Sequence, residues 1–273
     1  LGYYAALEFL RRGHKVSSIS IPDITLGSWY PKEIKSEYCD VFVTDEAELV
    51  KRLKGYDAIV YAVGPDHRIV PPAPAYPFYH ERLVEACGKT ISAERKAERY
   101  FEKSGLPYTI LRLPTVLGGN DTFVSQAIIP RLQNGTFYFA GKRDPQFSLL
   151  YVKNLGPIVR RLIEIGPQND VFNCTDHSIT WKEFIAEYAW ILQIPLPDQK
   201  KSILSMLRQI QDKKYVYMMV NSYFGAHFPN EKLMQRIQFT PPFPWQAGVS
   251  EAIAAYMETQ QNPTPPHPHS GAI

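Results

Sequence analysis

The sequence predicts an α/β fold, in which a doubly wound parallel sheet is followed by a smaller, mainly helical C-terminal lobe. Three observations predict it. Through Gly118, apolar runs of strand length alternate with amphipathic helical patterns. "DAIVYAVG" is nearly continuous in apolar residues, as expected of a strand buried on both faces of a parallel sheet. After Gly118 the alternation loosens and helical patterns dominate.

The elements follow in chain order. "GYYAALEFLRRGHKV" carries Tyr4, Leu7 and Leu10 at helical spacing, and Gly13 ends the helix. "KVSSISI" and "CDVFVTD" read as strands, "EAELVKRLKGY" as an amphipathic helix and "DAIVYAVG" as the next strand. "FYHERLVEAC" and "SAERKAERYFEKSG" are helical, and "YTILRLPTVLG" is a strand running into a glycine-containing loop. Beyond it come a helix in "FVSQAIIPRLQNG", a strand and helix in "QFSLLYVKNLGPIVRRLIEIG" and a strand in "DVFNCTD". "TWKEFIAEYAWILQI" is an aromatic-rich helix with its cap near Ser178 or Thr180. "KKSILSMLRQIQ" and "VSEAIAAYMETQ" are further helices. The expected organisation is a sheet domain over 1–118 and a lobe over 119–259. Some strands of the lobe return to the sheet domain. A flexible Pro-rich tail over 260–273 completes it.

Composition narrows the function classes. At 273 residues and 45% hydrophobic the chain has enough apolar material for a sizeable core. Its net charge of +3 is scattered, which argues against a nucleic-acid partner. Cys39, Cys87 and Cys174 form no C-x-x-C pair and no His-rich spacing, so no metal site is expected. Sparse cysteine fits a reducing compartment, and a cytoplasmic location is expected. No apolar run reaches the ~18 residues of a membrane span. His267 and His269 read as tail residues.

Two places read as interrupted. The chain opens on a helix where a nucleotide-binding unit begins with a strand and a Gly-rich turn, so roughly ten residues are expected ahead of Leu1. Near Gly88, "EACGKTISAER" passes from helix to helix with no strand between, where a parallel sheet needs one. Omitted residues there are the favoured explanation, and a true absence of the strand is the other.

Five stretches together carry a resemblance: "GYYAALEFLRRGHKV", "YDAIVYAVGP", "SAERKAERYFEKSGLPYTILRLPTVLGG", "FSLLYVKNLGPIVRRLIE" and "VFNCTDHSITWKEFIAEYA". In their order and spacing the chain resembles the extended short-chain dehydrogenase/reductases. More narrowly, it looks like their NAD-dependent epimerase/dehydratase branch. The resemblance implies a Rossmann-type NAD(P)-binding domain with a substrate lobe. It also implies oxidation, reduction, epimerisation or dehydration of an alcohol or ketone, often on a nucleotide-linked sugar. A small-molecule substrate and a homodimer are implied as well.

Residue by residue, Gly2 matches the last glycine of the phosphate-binding turn, where a helix N-terminus receives the pyrophosphate. Ala62, Val63 and Gly64 match the strand end beneath the cofactor. Leu113, Pro114, Thr115 and Val116 match the loop bordering the nicotinamide, with Leu117 in place of its tyrosine. Arg112 reads equally well as a salt-bridged strand residue. Ser20 falls where an acid would bind the adenosine ribose. It tolerates a 2′-phosphate, so NADP is slightly favoured over NAD. Asp23 is a second ribose candidate, and Phe42 stands where an aspartate near the adenine is usual. Lys96 matches the lysine that lowers the catalytic tyrosine's pKa and holds the ribose. The tyrosine itself, four residues earlier, is Ser92.

A serine hydroxyl is too weak an acid to replace a lysine-activated phenol without a neighbouring base. Because "ISAERKAERY" reads as one unbroken helix, Ser92 is expected to be a genuine departure. A hydroxyl from elsewhere, or substrate-bound water, would then supply the proton. Tyr100, four residues beyond Lys96, reads as packing. Arg143 and His177 are the polar substrate candidates. Two functions stay open: an atypical NAD(P)-dependent oxidoreductase or epimerase, and a non-catalytic NAD(P)-sensing or scaffold protein on the same fold.

Overall fold

The computed structural model describes residues 1–20, 27, 30–39, 44–62, 98–99, 102–103, 105–119, 121, 124–202 and 221–261. Its helices are α1 (Gly2–Arg11), α2 (Glu46–Leu53), α3 (Val124–Gln133), α4 (Val152–Ile165), α5 (Trp181–Ile191), α6 (Glu231–Ile237) and α7 (Trp245–Gln261). Its strands are β1 (Ser17–Ser20), β2 (Lys35–Tyr38), β3 (Thr109–Arg112), β4 (Thr115–Leu117), β5 (Phe139–Ala140), β6 (Gln146–Tyr151), β7 (Asp170–Asn173), β8 (His177–Thr180) and β9 (Lys200–Lys201). The chain forms two compact units, Leu1–Gly64 with Leu155–Gly166, and Pro65–Asn154 with Pro167–Ile273.

In the first unit α1 buries Ala5 and ends at Gly13, whose φ of +82° only glycine adopts without strain. β1 and β2 pair in parallel, Ser17 opposite Lys35 and Ser20 opposite Tyr38. Asp45 caps α2, its carboxylate accepting the Ala47 and Glu48 N–H groups at 3.0 and 3.4 Å. The 155–165 part of α4 packs closely on α1 because Gly156 has no side chain. A Cβ there would lie 2.9 Å from the Tyr4 carbonyl oxygen. Arg160 Nε donates to Glu8 across the same contact at 3.2 Å.

One expectation fails here, and one strand was not expected. β2 is the run "KSEY", which the sequence reading did not name, while the strand expected at "CDVFVTD" falls on residues 40–43, outside the described residues. "DAIVYAVG" was expected to be a strand buried on both faces. Residues 57–62 instead form no strand, and Ile59, Val60 and Tyr61 are 60%, 44% and 57% exposed. A strand exists only through its neighbours, and no described residue hydrogen-bonds to this run.

The second unit holds the apolar core. β3 pairs in parallel with β7, β4 in parallel with β6, and β8 antiparallel to β6. The sequence's single strand at "YTILRLPTVLG" is two, divided at Leu113–Pro114, where proline has no N–H for a ladder. Phe147 on β6 meets Trp181 and Phe184 of α5 at 5.2 and 5.0 Å between ring centroids. Phe184 also reaches Tyr188 and Trp245. Each such ring contributes about 1.5–3 kcal/mol by burial. α5 starts at a capping box: Thr180 Oγ1 accepts the Glu183 N–H at 3.2 Å, and Glu183 accepts the Thr180 N–H at 2.7 Å. The helical pattern at "FYHERLVEAC" and the tail from residue 262 lie outside the described residues. Of the helix expected at "KKSILSMLRQIQ", Lys200–Lys201 instead form β9 against Phe139–Ala140, and 203–211 lie outside the described residues. So does most of "SAERKAERYFEKSG", of which 98–99 and 102–103 are helical.

Candidate functional site

Of the cofactor candidates, Gly2, Ser20 and Ala62 lie in the first unit. Gly2 opens α1, and a Cβ on it would stand 3.4 Å from the Ala62 Cβ. No side chain caps this end of the helix, and its first turn holds no acid. An uncapped, acid-free helix N-terminus led by glycine fits the pyrophosphate of a dinucleotide, because backbone N–H groups and the helix dipole both face the anion. Ser20 is the last residue of β1, half-buried, and its carbonyl accepts the Cys39 N–H at 2.9 Å. In parallel sheets ligands gather beyond this end of the strands. A groove of about 230 Å³ at the opposite strand end, lined by Ser17, Lys35, Glu37, Arg52 and Tyr56, is a less suitable anion site. Its charges already pair with one another, Lys35 with Glu37 at 3.0 Å and Arg52 with Glu48 at 2.8 Å. Val63, Gly64, Asp23, Phe42, Ser92, Lys96 and Tyr100 lie outside the described residues.

Pro114, Thr115 and Val116 belong to the second unit. Thr115 and Val116 are half-buried on β4, and Leu117, in the place of a tyrosine, is 1% exposed in the core. Gly118 then turns with φ +147°, and a Cβ on it would lie 2.4 Å from Val152 Cγ1. Arg112 is resolved as a salt-bridged residue: its Nε and Nη2 donate to the two oxygens of Glu98 at 2.8 and 2.7 Å. Glu98 stands two residues after Lys96 in sequence.

His177 begins β8 opposite Leu149, whereas Arg143 precedes β6 by three residues. Leu149 lies three residues into β6, about 10 Å from its start at ~3.4 Å per residue, and nothing in the ladder brings His177 and Arg143 together. The Arg143 guanidinium lies 5.0 Å over the Tyr223 ring. His177 Nδ1 lies 3.2 Å from Asp176 Oδ1, without the alignment of a hydrogen bond.

Sequence reasoning passed over the polar cluster around Asp176. That carboxyl is 0% exposed, and its Oδ2 accepts the Tyr151 N–H at 2.9 Å and Asn154 Nδ2 at 2.6 Å. Asn154 also donates to the Phe243 carbonyl at 2.9 Å and accepts the Phe243 N–H at 3.1 Å. The cluster ties the end of β6 to the approach to α7. Cys174 beside it has its thiol pushed up to about 12, by burial first and then by the Asp176 charge. In sequence it is the acid that ends the run "DVFNCTD", which usually means a solvated strand end.

No family profile matches the sequence, and a search of curated proteins finds no match. Solved structures do match. A nucleoside-diphosphate-sugar epimerase from Pseudomonas aeruginosa superposes with a TM-score of 0.68 at 18% identity, covering 95% of this chain and 94% of that one. The enzyme WbmH of Bordetella bronchiseptica, solved in complex with NAD+, gives 0.63 at 15% identity over 94% of this chain and 95% of its own. A UDP-N-acetylglucosamine 4-epimerase from Bacillus cereus gives 0.56 at 13% identity over 92% and 93%. The fold is therefore the Rossmann-type α/β architecture that these three proteins share. Among the described residues no helix is long and apolar enough to cross a membrane, and no three metal-ligating side chains come together.

Proposed function

We propose that the chain is an NAD(P)-dependent protein of the epimerase/dehydratase kind, acting on an alcohol or ketone of a nucleotide-linked sugar. The observation that carries this reading is the start of α1, a glycine-led, uncapped, acid-free helix N-terminus packed against Ala62. The likeness in fold to nucleotide-sugar epimerases, and to an enzyme solved with NAD+, over more than nine-tenths of the chain supports it. Gly2, Ala62, Val63 and Gly64 would hold the dinucleotide's pyrophosphate side, Ser20 its adenosine ribose, and Lys96 its nicotinamide ribose. Pro114, Thr115 and Val116 would border the nicotinamide. The dinucleotide, when bound, supplies hydride acceptance and donation at the sugar carbon. Around it this chain's small residues admit close backbone approach, and Ser20 leaves room for a 2′-phosphate, so NADP is accepted at least as well as NAD. With Ser92 in the tyrosine's position, the proton on the substrate oxygen is exchanged with a hydroxyl elsewhere or with bound water. In domain terms, 1–118 carries the cofactor and 119–259 the substrate.

Fluorescence titration with NADH and NADPH, followed by panels of nucleotide sugars and simple ketones, tests this. Saturable binding with turnover of a nucleotide sugar is expected. Saturable binding without turnover across the panels would support a sensor in place of an enzyme, and absence of binding would end both readings.

A further inference from the structure

Asn134 and Gly135 form the turn that ends α3. Gly135 has φ +63°, and its N–H donates to the Leu132 carbonyl at 3.1 Å, while the Thr136 N–H reaches back to the Arg131 carbonyl at 2.9 Å. This is the bonding pattern with which helices commonly end at a left-handed glycine. Gln133, Asn134, Gly135 and Thr136 are all exposed, and no atom stands within 4 Å of where a Gly135 Cβ would be. The turn leads straight into the core: Phe137 is 2% exposed, and its ring meets that of Phe139 on β5 at 5.4 Å.

The other described asparagines are held. Asn154 Nδ2 donates to Asp176 Oδ2, Asn173 Nδ2 to the Pro229 carbonyl and Asn230 Nδ2 to the Thr175 carbonyl. Asn169 Oδ1 accepts the Tyr108 N–H, and Asn221 is buried. Among the described residues, Asn134 alone of the asparagines is exposed with a side-chain amide that makes no hydrogen bond. It is also the one described asparagine that a glycine follows. That neighbour matters chemically. With no Cβ on the following residue, nothing crowds the approach of its nitrogen to the asparagine side chain.

We propose that Asn134 is a self-modification site of the folded chain, at which the Gly135 nitrogen displaces ammonia from the side-chain amide. When the last turn of α3 frays, hydroxide takes the Gly135 N–H proton and the nitrogen attacks Asn134 Cγ. The N–Cγ bond forms, the Cγ–Nδ2 bond breaks, and Nδ2 leaves as ammonia with a proton from water. Water then opens the succinimide ring. Cleavage of the N–Cγ bond leaves aspartate. Cleavage of the bond to the main-chain carbonyl leaves isoaspartate, whose backbone runs through Cγ. The net change is amide and water to carboxylate and ammonium. Either product puts a negative charge at the C-terminal end of α3, where the helix dipole disfavours it. Isoaspartate also adds a methylene inside the cap that the Gly135 and Thr136 N–H groups close, which loosens the seat of Phe137.

Purified wild type and Asn134→Gln are aged at mildly alkaline pH, folded and in concentrated urea. Peptide mapping by mass spectrometry follows each asparagine, and enzymatic methylation specific for isoaspartate follows the rearranged product. In the folded chain Asn134 should convert roughly ten-fold or more faster than Asn154, Asn169, Asn173, Asn221 or Asn230, each of which must first break a hydrogen bond or leave the core. Urea should speed the held asparagines by roughly ten-fold or more and Asn134 by clearly less. Aged, folded wild type should melt a few degrees lower than fresh protein, whereas Asn134→Gln, whose longer side chain closes the corresponding ring far more slowly, should keep its Tm. If Asn134 stays intact in the folded chain and converts only in urea, the proposal is overturned. A held asparagine that converts as fast as Asn134 in the folded chain overturns it too. An aged Asn134→Gln that loses as much Tm as aged wild type overturns the structural consequence.

Discussion

Asp176 offers a test in which hydrogen bonding and charge make opposite forecasts. Its Oδ2 accepts two hydrogen bonds, from Tyr151 N at 2.9 Å and Asn154 Nδ2 at 2.6 Å, at a side chain that is 0% exposed. Asp176→Ala removes the carboxylate acceptor of the buried Tyr151 N–H, at a cost of about 1–3 kcal/mol. Asn154 loses one charge-assisted bond, about 1.5–3 kcal/mol, although it keeps the Phe243 carbonyl. Removing a buried carboxyl returns part of this. The net expectation is a loss of about 3 kcal/mol. At ~2–4 °C per kcal/mol that is a fall in Tm of roughly 6–12 °C. Asp176→Asn differs. Its amide oxygen replaces Oδ2 and accepts both bonds, while its NH2 takes the place of Oδ1, 3.2 Å from His177 Nδ1. The expected cost is within about 1 kcal/mol. Thermal unfolding followed by tryptophan fluorescence reads the right unit, since Trp181 and Trp245 are buried in its core. If Asp176→Asn falls as far as Asp176→Ala, charge holds the cluster and the hydrogen-bond account fails.

Three further outcomes are expected. Gly118→Ala combines a φ of +147° with a Cβ 2.4 Å from Val152 Cγ1, and should cost about 2–4 kcal/mol by urea unfolding. Cys174, with its thiol raised from 9.0 to about 12, contributes stability that is intact below pH 9 and drains away as pH climbs toward 12. Urea midpoints in that window should therefore fall more steeply for wild type than for Cys174→Ala, by up to ~1.4 kcal/mol per pH unit. Glu98→Gln breaks a bidentate pair whose arginine is 57% exposed, so a loss near or below ~1 kcal/mol is expected in the same assay.

Much of the fold was legible because its signals are local. Gly13 closing α1, the Thr180–Glu183 box opening α5, and the apolar helix faces of α3, α4 and α7 need no distant partner to be read. β5 and β9 are two residues each and exist only by pairing with each other, so nothing in "TFYFAGK" or "DQKKS" announces them. β2 is the polar run "KSEY", a strand made by its parallel neighbour rather than by its composition. "DAIVYA" shows the converse, strong strand composition with no described partner. Polar positions divide the same way. That Gly2 opens a helix was readable from the pattern after it, whereas Asp176 became a buried hydrogen-bond centre only once β8 lay against β6.

The most direct test of the central claim is equilibrium titration of the purified chain with NADH and NADPH, alongside Gly2→Asp. Gly2→Asp places a carboxylate in the first turn of α1, where the pyrophosphate would lie. The account predicts saturable binding by the wild type at roughly micromolar Kd, with NADPH bound at least as well as NADH. It predicts a loss of ten-fold or more in Gly2→Asp, whose Tm stays within a few degrees of wild type. Wild type that binds neither nucleotide, or Gly2→Asp that binds as tightly as wild type, would contradict it.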